Sequence, residues 1–378
     1  MSEFNVKRTR YDLLARIWRA VSKEPVLAIL AFALVMLQIA HPRAWMSLPG
    51  LVDWQTVLTL AGLLILTKAI ELSGFLMWAA HRLVHHIHGE RTLALLLVAL
   101  AAALSTVLTN DVALFAVVPL TLSLHKLAPL PIKRLIIVIA LAVNAGSILT
   151  PLGNPQNLFL WQTSGVSFGA FVWALLPLCA ALMALLGAVT FAMFRAAPLD
   201  LSGDVDEHRV DRLLCGVSVL AFAAFVAFAD AHHAGPALVV LAVGFLLWRR
   251  RVVFEIDYLL LLIFVMMFIV LRSAASLPSI HEAIAHLGVG TSVRAYVSGA
   301  VLSQAISNVP AAIVLAEFSK DWRALAFGVS VGGFGVAIGS LANLIAVRLS
   351  GEKGMWMPFH MVSIPFWIVA MVIGWALV

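Results

Sequence analysis

Apolar runs of roughly 17–25 residues, each long enough to cross the hydrocarbon core of a bilayer, recur along the whole chain. Of 378 residues, 62% are hydrophobic and 12% charged. A soluble domain cannot bury that much apolar surface and still cover itself with polar groups. The sequence therefore reads as an all-α, polytopic membrane protein. The net charge of +6 does not point to nucleic acid, because Lys and Arg of membrane proteins gather in cytoplasmic loops. Cys179 and Cys215 are far apart in or beside apolar stretches and read as small apolar residues, not as a metal motif.

Full crossings are expected near 25–41, 52–70, 132–162, 168–195, 212–230, 235–249, 256–274, 322–349 and 357–378. Two further apolar segments, 92–125 and 293–319, are interrupted midway by Thr109, Asn110 and Asp111 in one and by Ser307, Asn308 and Pro310 in the other. Each reads as a helical hairpin that enters the membrane and leaves on the same side. With a cytoplasmic N-terminus, this layout places nineteen of the 25 Lys and Arg inside, five outside and Lys68 within a span, as the positive-inside rule requires. The first residues are too polar for the apolar core of a cleavable signal. Tyr11, Leu14, Ile17, Trp18 and Val21 share one helical face, which suits a helix lying on the membrane surface or an ordinary basic flank before the first span. The polar segment 196–211 reads as a linker between two halves.

The two halves repeat. VDWQTVLTLAGLLIL, LTNDVALFAVVPL and GNPQNLFL follow one another in the first, and IDYLLLLIFVMMFIV, ISNVPAAIVLAEF and GSLANLIAV in the second. Asn110 then matches Asn308, Gly153 matches Gly339, and Asn157 matches Asn343. On the expected topology the repeats are inverted, the sequence mark of alternating-access transporters. The organisation expected is residues 1–50 as an interfacial helix and first span and 51–195 as repeat one, with hairpin 92–125 and broken helix 132–162. Residues 196–255 follow as a linker with connecting spans, then 256–378 as repeat two, with hairpin 293–319 and broken helix 322–349.

Non-helical backbone survives at membrane depth only inside protein or along a watery cavity. It is expected at LTND, LTPLGNPQN, ISNVP and IGSLAN. Asn110 or Asp111 can cap the second arm of the first hairpin, and Ser307 or Asn308 that of the second. Capping alone does not require asparagine at matching positions, so the tips also read as an ion site. There, first-turn N–H groups and amide or hydroxyl side chains face an anion, while upstream carbonyls face a cation. The predicted binding set is Thr109, Asn110, Asp111, Thr150, Gly153, Asn154, Asn157, Ser307, Asn308, Gly339, Ser340 and Asn343. Gly153 and Gly339 permit tight turns, Pro155 ends the helix before it, and Asn157 and Asn343 can hold freed backbone or an ion. Asp111 stands opposite Val309 of the other tip and is the candidate coupling residue for a proton or cation; the alternative is a cap that never titrates.

Other signals carry less. Lys68 and Glu71 are three apart on one helix and read as a structural pair. His81, His85 and His88 share a face at an expected cytoplasmic end, where interfacial contacts explain them better than a metal. GVSVG resembles a nucleophile elbow in spelling only, and with GVAIG it is better explained by close helix packing.

These motifs resemble the ion transporter superfamily, which includes arsenite permeases, citrate and divalent-anion symporters and some sodium/proton antiporters. The resemblance covers about residues 50–378, and LTNDVALFAVVPLTL with NAGSILTPLGNPQNL is most similar to the arsenite-permease and general anion-transporter branch. In the divalent-anion symporters each tip carries Ser-Asn-Thr. Thr109-Asn110 and Ser307-Asn308 match its first two positions here, while Asp111 and Val309 replace its threonine. The resemblance implies a scaffold region, a moving transport region and a homodimer. The expected function is secondary active transport of a small inorganic or carboxylate anion, coupled to Na+ or H+, by an inner-membrane permease surrounded by lipid, with no cofactor, metal or nucleic acid. Arsenite or antimonite efflux, cation/proton antiport and a passive channel are the alternatives.

Overall fold

The computed structural model describes residues 25–84, 87, 89–199 and 210–378. The surface helix expected over residues 8–23, the side chains of His81, His85 and His88, and most of the linker lie outside them. The regular structure among the described residues is helical, with one isolated bridge between Gly89 and Pro198. Six helices are long and apolar enough to cross a membrane, which fits a multi-pass membrane protein.

Helix α1 spans Pro25–Ala40 and is followed by a 3-10 turn, Trp45–Leu51. Then come α2 (Trp54–Leu72), α3 (Phe75–Val84), α4 (Glu90–Val107), α5 (Asn110–Leu127), α6 (Ile132–Gly146), α7 (Pro155–Ser164) and α8 (Phe168–Met193). Helices α9 (Arg212–Asp230), α10 (Ala234–Arg249) and α11 (Arg251–Phe254) form the middle of the chain. The order of α2 to α8 then returns as α12 (Tyr258–Ala275), α13 (Pro278–His286), α14 (Ser292–Ile306), α15 (Asn308–Ala316), α16 (Trp322–Gly332), α17 (Leu341–Ser350) and α18 (Trp356–Leu377). Each half thus has a long helix, a short one, two helices with a tight turn, two separated by an irregular break, and a long closing helix. The short helices α3 and α13 were not foreseen, because neither is long or apolar enough to read as a crossing.

Matching local chemistry sets matching boundaries. Asp53 caps α2 by accepting from the Thr56 N–H at 2.9 Å, and Asp257 caps α12 by accepting from Leu260 at 2.9 Å. After the breaks, Asn154 caps α7 and Ser340 caps α17. Both helices end at a glycine in the left-handed region, Gly165 at φ 69° and Gly351 at φ 65°.

Packing follows the same exchange. Helix α4 packs on α6 and α14 on α16. Helix α5 packs on α17 of the other half, and α15 on α7. The first pieces of both broken helices are almost entirely buried, consistent with their lack of a polar face. Small residues let them approach their neighbours. A Cβ on Gly146 would strike the Ala102 backbone, and one on Gly328 the Tyr296 carbonyl. By contrast α1, α10 and α18 carry exposed Phe32, Ile39, Val240, Leu247, Met361 and Val372 on faces suited to lipid. Lys68 and Glu71 pair at 2.7 Å, as their spacing on one helix suggested.

Candidate functional site

The tips and breaks lie inside the protein, each tip against the break of its own half, with an amide hydrogen bond linking the two halves. Asn110 is 7% exposed and Asn308 3%, so neither faces lipid. The capping expectation needs revision at the first tip, where Thr109 and not Asn110 or Asp111 occupies the cap position of α5. Ser307 occupies that of α15 as expected, and neither side chain makes a cap hydrogen bond. Asn110 and Asp111 form the first turn of α5, and Asn308 opens α15. Thr109 has ordinary extended backbone, φ −67° and ψ 153°, whereas Ser307 has φ 75° and ψ 155°, a region otherwise reserved for glycine.

In the first half the tip is stitched to the break. The Asn110 N–H donates to the Gly153 carbonyl at 3.1 Å, and Gly153 lies so close to the Ser105 carbonyl that no side chain fits there. Thr106 donates to the Gly146 carbonyl at 3.0 Å, and Thr150 donates back to the Thr106 carbonyl. Asn154 donates to the Ser147 carbonyl and hydroxyl, both at 3.0 Å, and accepts from the Asn157 N–H at 2.9 Å. The Asn157 amide donates to the Ser147 and Ile148 carbonyls at 3.2 and 3.1 Å. The Ser147 and Ile148 carbonyls freed by the break are therefore held by side chains of the break itself, and the Gly146 carbonyl by Thr106 of α4.

The second half repeats the scheme with different groups. Gln304, four residues before Asn308 as Thr106 is before Asn110, donates to the Gly332 carbonyl at 2.6 Å and accepts from the Val336 N–H at 2.7 Å. Asn343 donates to the Gly333 carbonyl at 2.9 Å, the counterpart of Asn157 on Ser147. Gly339 sits against the Gly332 carbonyl and Gln304, and Ser340 caps α17 by accepting from Ala342 at 3.3 Å. Within the site the two halves are joined by Asn144 of α6, which donates to the Asn343 carboxamide oxygen at 2.8 Å. The Asn144 carboxamide oxygen and the Asn308 amide nitrogen would each lie 3.3 Å from a Cβ on Gly333, so both amides flank that turn.

Buried polar atoms without partners gather here. Among the described residues twelve buried side-chain atoms lack a hydrogen bond. Five of them are Thr109 Oγ1, Asn110 Oδ1, Asn157 Oδ1, Ser307 Oγ and Ser330 Oγ, all at the tips and on the broken helices. A buried unpaired oxygen costs roughly 1–3 kcal/mol, so such a concentration needs an explanation beyond packing. The half-buried Asp111 makes no hydrogen bond or ion pair among the described residues. No group of three metal-ligating side chains occurs among them either.

The citrate transporter family model matches residues 13–321. The chain belongs to that family. An inner membrane protein of Escherichia coli, YbiR, is 40% identical over 336 residues, 89% of this chain and 90% of the relative. An uncharacterized transporter of Methanocaldococcus jannaschii is 29% identical over 320 residues, 84% and 86% of the two chains. A putative transporter of Dictyostelium discoideum named arsB is 24% identical over 141 residues, 37% of this chain and 24% of its own. This citrate-transporter-family protein is thus a membrane transporter, as the resemblance to the ion transporter superfamily implied. The tips and broken helices also carry Thr106, Asn144, Ser147, Gln304 and Ser330, which the predicted binding set left out. Polarity inside otherwise apolar helices was the signal that could have found them.

Proposed function

We propose that this member of the citrate transporter family is a secondary active transporter of a small anion, working by alternating access between two inverted repeats. The observation that carries this reading is the set of five unpartnered oxygens on the tips and broken helices. Three are hydroxyls, which can donate to an anion or accept; two are carboxamide oxygens, which accept and so favour a cation. A site that offers both fits an anion moved together with Na+ or H+. The exchange of packing partners between halves supports the inverted arrangement, in which α4–α5 and α14–α15 are hairpins entering from opposite faces. The binding residues are then Thr109, Asn110, Thr150, Gly153, Asn154 and Asn157 with Ser307, Asn308, Gly339, Ser340 and Asn343. Asp111 carries the coupling proton or cation. The name of the Escherichia coli relative supports an inner-membrane location, and the charge distribution a cytoplasmic N-terminus.

The family's description makes citrate the first substrate to test. Proteoliposomes should accumulate labelled citrate above the outside concentration when a Na+ or proton gradient is imposed. Asn110→Ala with Asn308→Ala should abolish uptake while membrane insertion persists. Asp111→Asn should remove the dependence on the driving gradient. Uptake that only equilibrates would mean a passive channel, and an unchanged gradient dependence in Asp111→Asn would remove that residue from the coupling role. Arsenite, the alternative raised by the resemblance to arsenite permeases, is the second substrate for the same assay.

A further inference from the structure

We propose that His360 is a positioning residue that holds the second break in shape only while its imidazole is neutral. His360 lies one turn into α18 and reaches the 3-10 turn Ala337–Gly339 inside the break. Its Nε2 accepts the Ala337 N–H at 3.1 Å, and its Nδ1 lies 2.7 Å from the Trp356 carbonyl, which can only accept. The two partners fix one tautomer: Nδ1 carries the proton and Nε2 presents its lone pair. The rings of Trp356 and Phe359 flank the imidazole, with centroids 4.5 and 5.6 Å away, and hold it in this orientation. A proton taken up from solvent would occupy the Nε2 lone pair. The Ala337 N–H would then face another N–H, and a backbone donor inside the protein would lose its acceptor.

The first half shows why this contact exists. In the register that aligns Asn157 with Asn343, Ala337 corresponds to Pro151 and His360 to Ala174. Pro151 has no N–H, so the first break needs no acceptor there, and Ala174 offers none. The second break retains the N–H and draws its acceptor from α18. A titratable group thereby supports one break and not the other.

The surroundings of α18 supply no competing acid. The elements packed against it are α6, α8, α14, α16 and the 3-10 turn. Their charged residues are Lys133 and Arg134 on α6, Arg294 on α14 and Arg323 on α16, with Cys179 and Tyr296 as the remaining titratable groups. Lys133 donates to the Lys353 carbonyl, Arg134 to Met193 and Arg323 to Leu377, and Tyr296 to Met371. Glu352 and Lys353 lie in the loop before α18, and Arg348 near the end of α17. None of these side chains is hydrogen-bonded to His360.

This inference rests on the proposed transport role of the second break, but its test does not need a known substrate. Purified protein is melted in detergent between pH 8 and pH 5. The wild type should lose about 2–4 °C more on acidification than His360→Ala, which should already melt low at pH 8. Ala337→Pro copies Pro151, and its site accepts proline because Val336 before it is extended at φ −70° and ψ 154°. It should remove the same acid-dependent loss, and adding Ala337→Pro to His360→Ala should restore melting at pH 8. If wild type, His360→Ala and Ala337→Pro share one pH profile, His360 does not control the break. If His360→Ala fails to fold, Ala337→Pro alone decides: acid sensitivity equal to the wild type overturns the proposal. Failure of citrate and arsenite transport would remove the functional reading and leave this profile standing.

Discussion

The two breaks solve one problem with different residues. In the first, the Ser147 and Ile148 carbonyls are taken up by Asn154 and Asn157, members of the broken segment and its next turn, the Gly146 carbonyl by Thr106 of α4, and Pro151 removes a donor altogether. In the second, Asn343 repeats the Asn157 contact, but the Val336 and Ala337 N–H groups depend on Gln304 from α14 and His360 from α18. Both breaks lean on their hairpins, the first through Thr106 and the Asn110 N–H and the second through Gln304, but only the second has backbone N–H groups accepted by side chains of other helices. A segment whose backbone is satisfied by other helices keeps its shape only while those helices stay in place. It is therefore the half in which movement or protonation nearby has the larger consequence.

A second asymmetry lies between the halves. Asn144 reaches across to Asn343, yet the position matching Asn144 is Ser330, on α16, which packs on the helix bearing Asn157. Serine is one bond shorter than asparagine at its polar end, and Ser330 Oγ and Asn157 Oδ1 are both left without partners. The crossing amide bond is made once, and its mirror is missing.

Substitutions can break this comparison in order of expected size. Gly153→Ala should cost about 3 kcal/mol or prevent accumulation, because its Cβ meets the backbone of both Ser105 and Ser147. Gly339→Ala, with one carbonyl at 2.7 Å, should cost roughly 1 kcal/mol. Unfolding in mixed detergents measures both, and the reverse order would mean that the first break is the looser one. Asn144→Ser should destabilise by about 1–3 kcal/mol in the same assay by stranding the Asn343 oxygen. An unchanged unfolding midpoint would show that the crossing bond contributes nothing.

Ser330→Asn supplies the missing mirror bond and should stabilise by about 1 kcal/mol. It should also slow uptake in proteoliposomes, since it fills polar space that the unpartnered oxygens share. Stabilisation without any loss of uptake would place those two oxygens outside the transport route. The smallest expected pair concerns the tips. Ser307→Gly should stabilise by roughly 0.5–1 kcal/mol by relieving a backbone at φ 75°, and Thr109→Gly should destabilise by a similar amount. Equal signs for the two would mean that the tips are not distinguished by backbone strain.

Much of this was legible in the chain itself. The irregular turns at LTND, LTPLGNPQN and ISNVP fall where expected, because Gly, Pro and Asn disturb an apolar helix in recognisable ways. The second break, by contrast, runs over 333–340, starting before IGSLAN and taking in GVAIG, which was expected to be packed helix. The identity of the capping residue at the first tip was not legible. Thr109, Asn110 and Asp111 can all cap a helix, and which of them stands at the first extended position depends on where the neighbouring break receives the Asn110 N–H. Gln304 and His360 were missed because each is a single polar residue whose partner lies 32 or 23 positions away. No local pattern marks such a bond.

The sequence by itself determined that this protein is helical, membrane-embedded and duplicated, because those properties follow from the length and spacing of apolar runs, which act residue by residue. Only the tertiary structure decided which oxygens remain without partners and which break has N–H groups accepted by side chains of other helices. Hydrogen bonds act over about 3 Å, and chain segments far apart in sequence come that close only after the helices have packed.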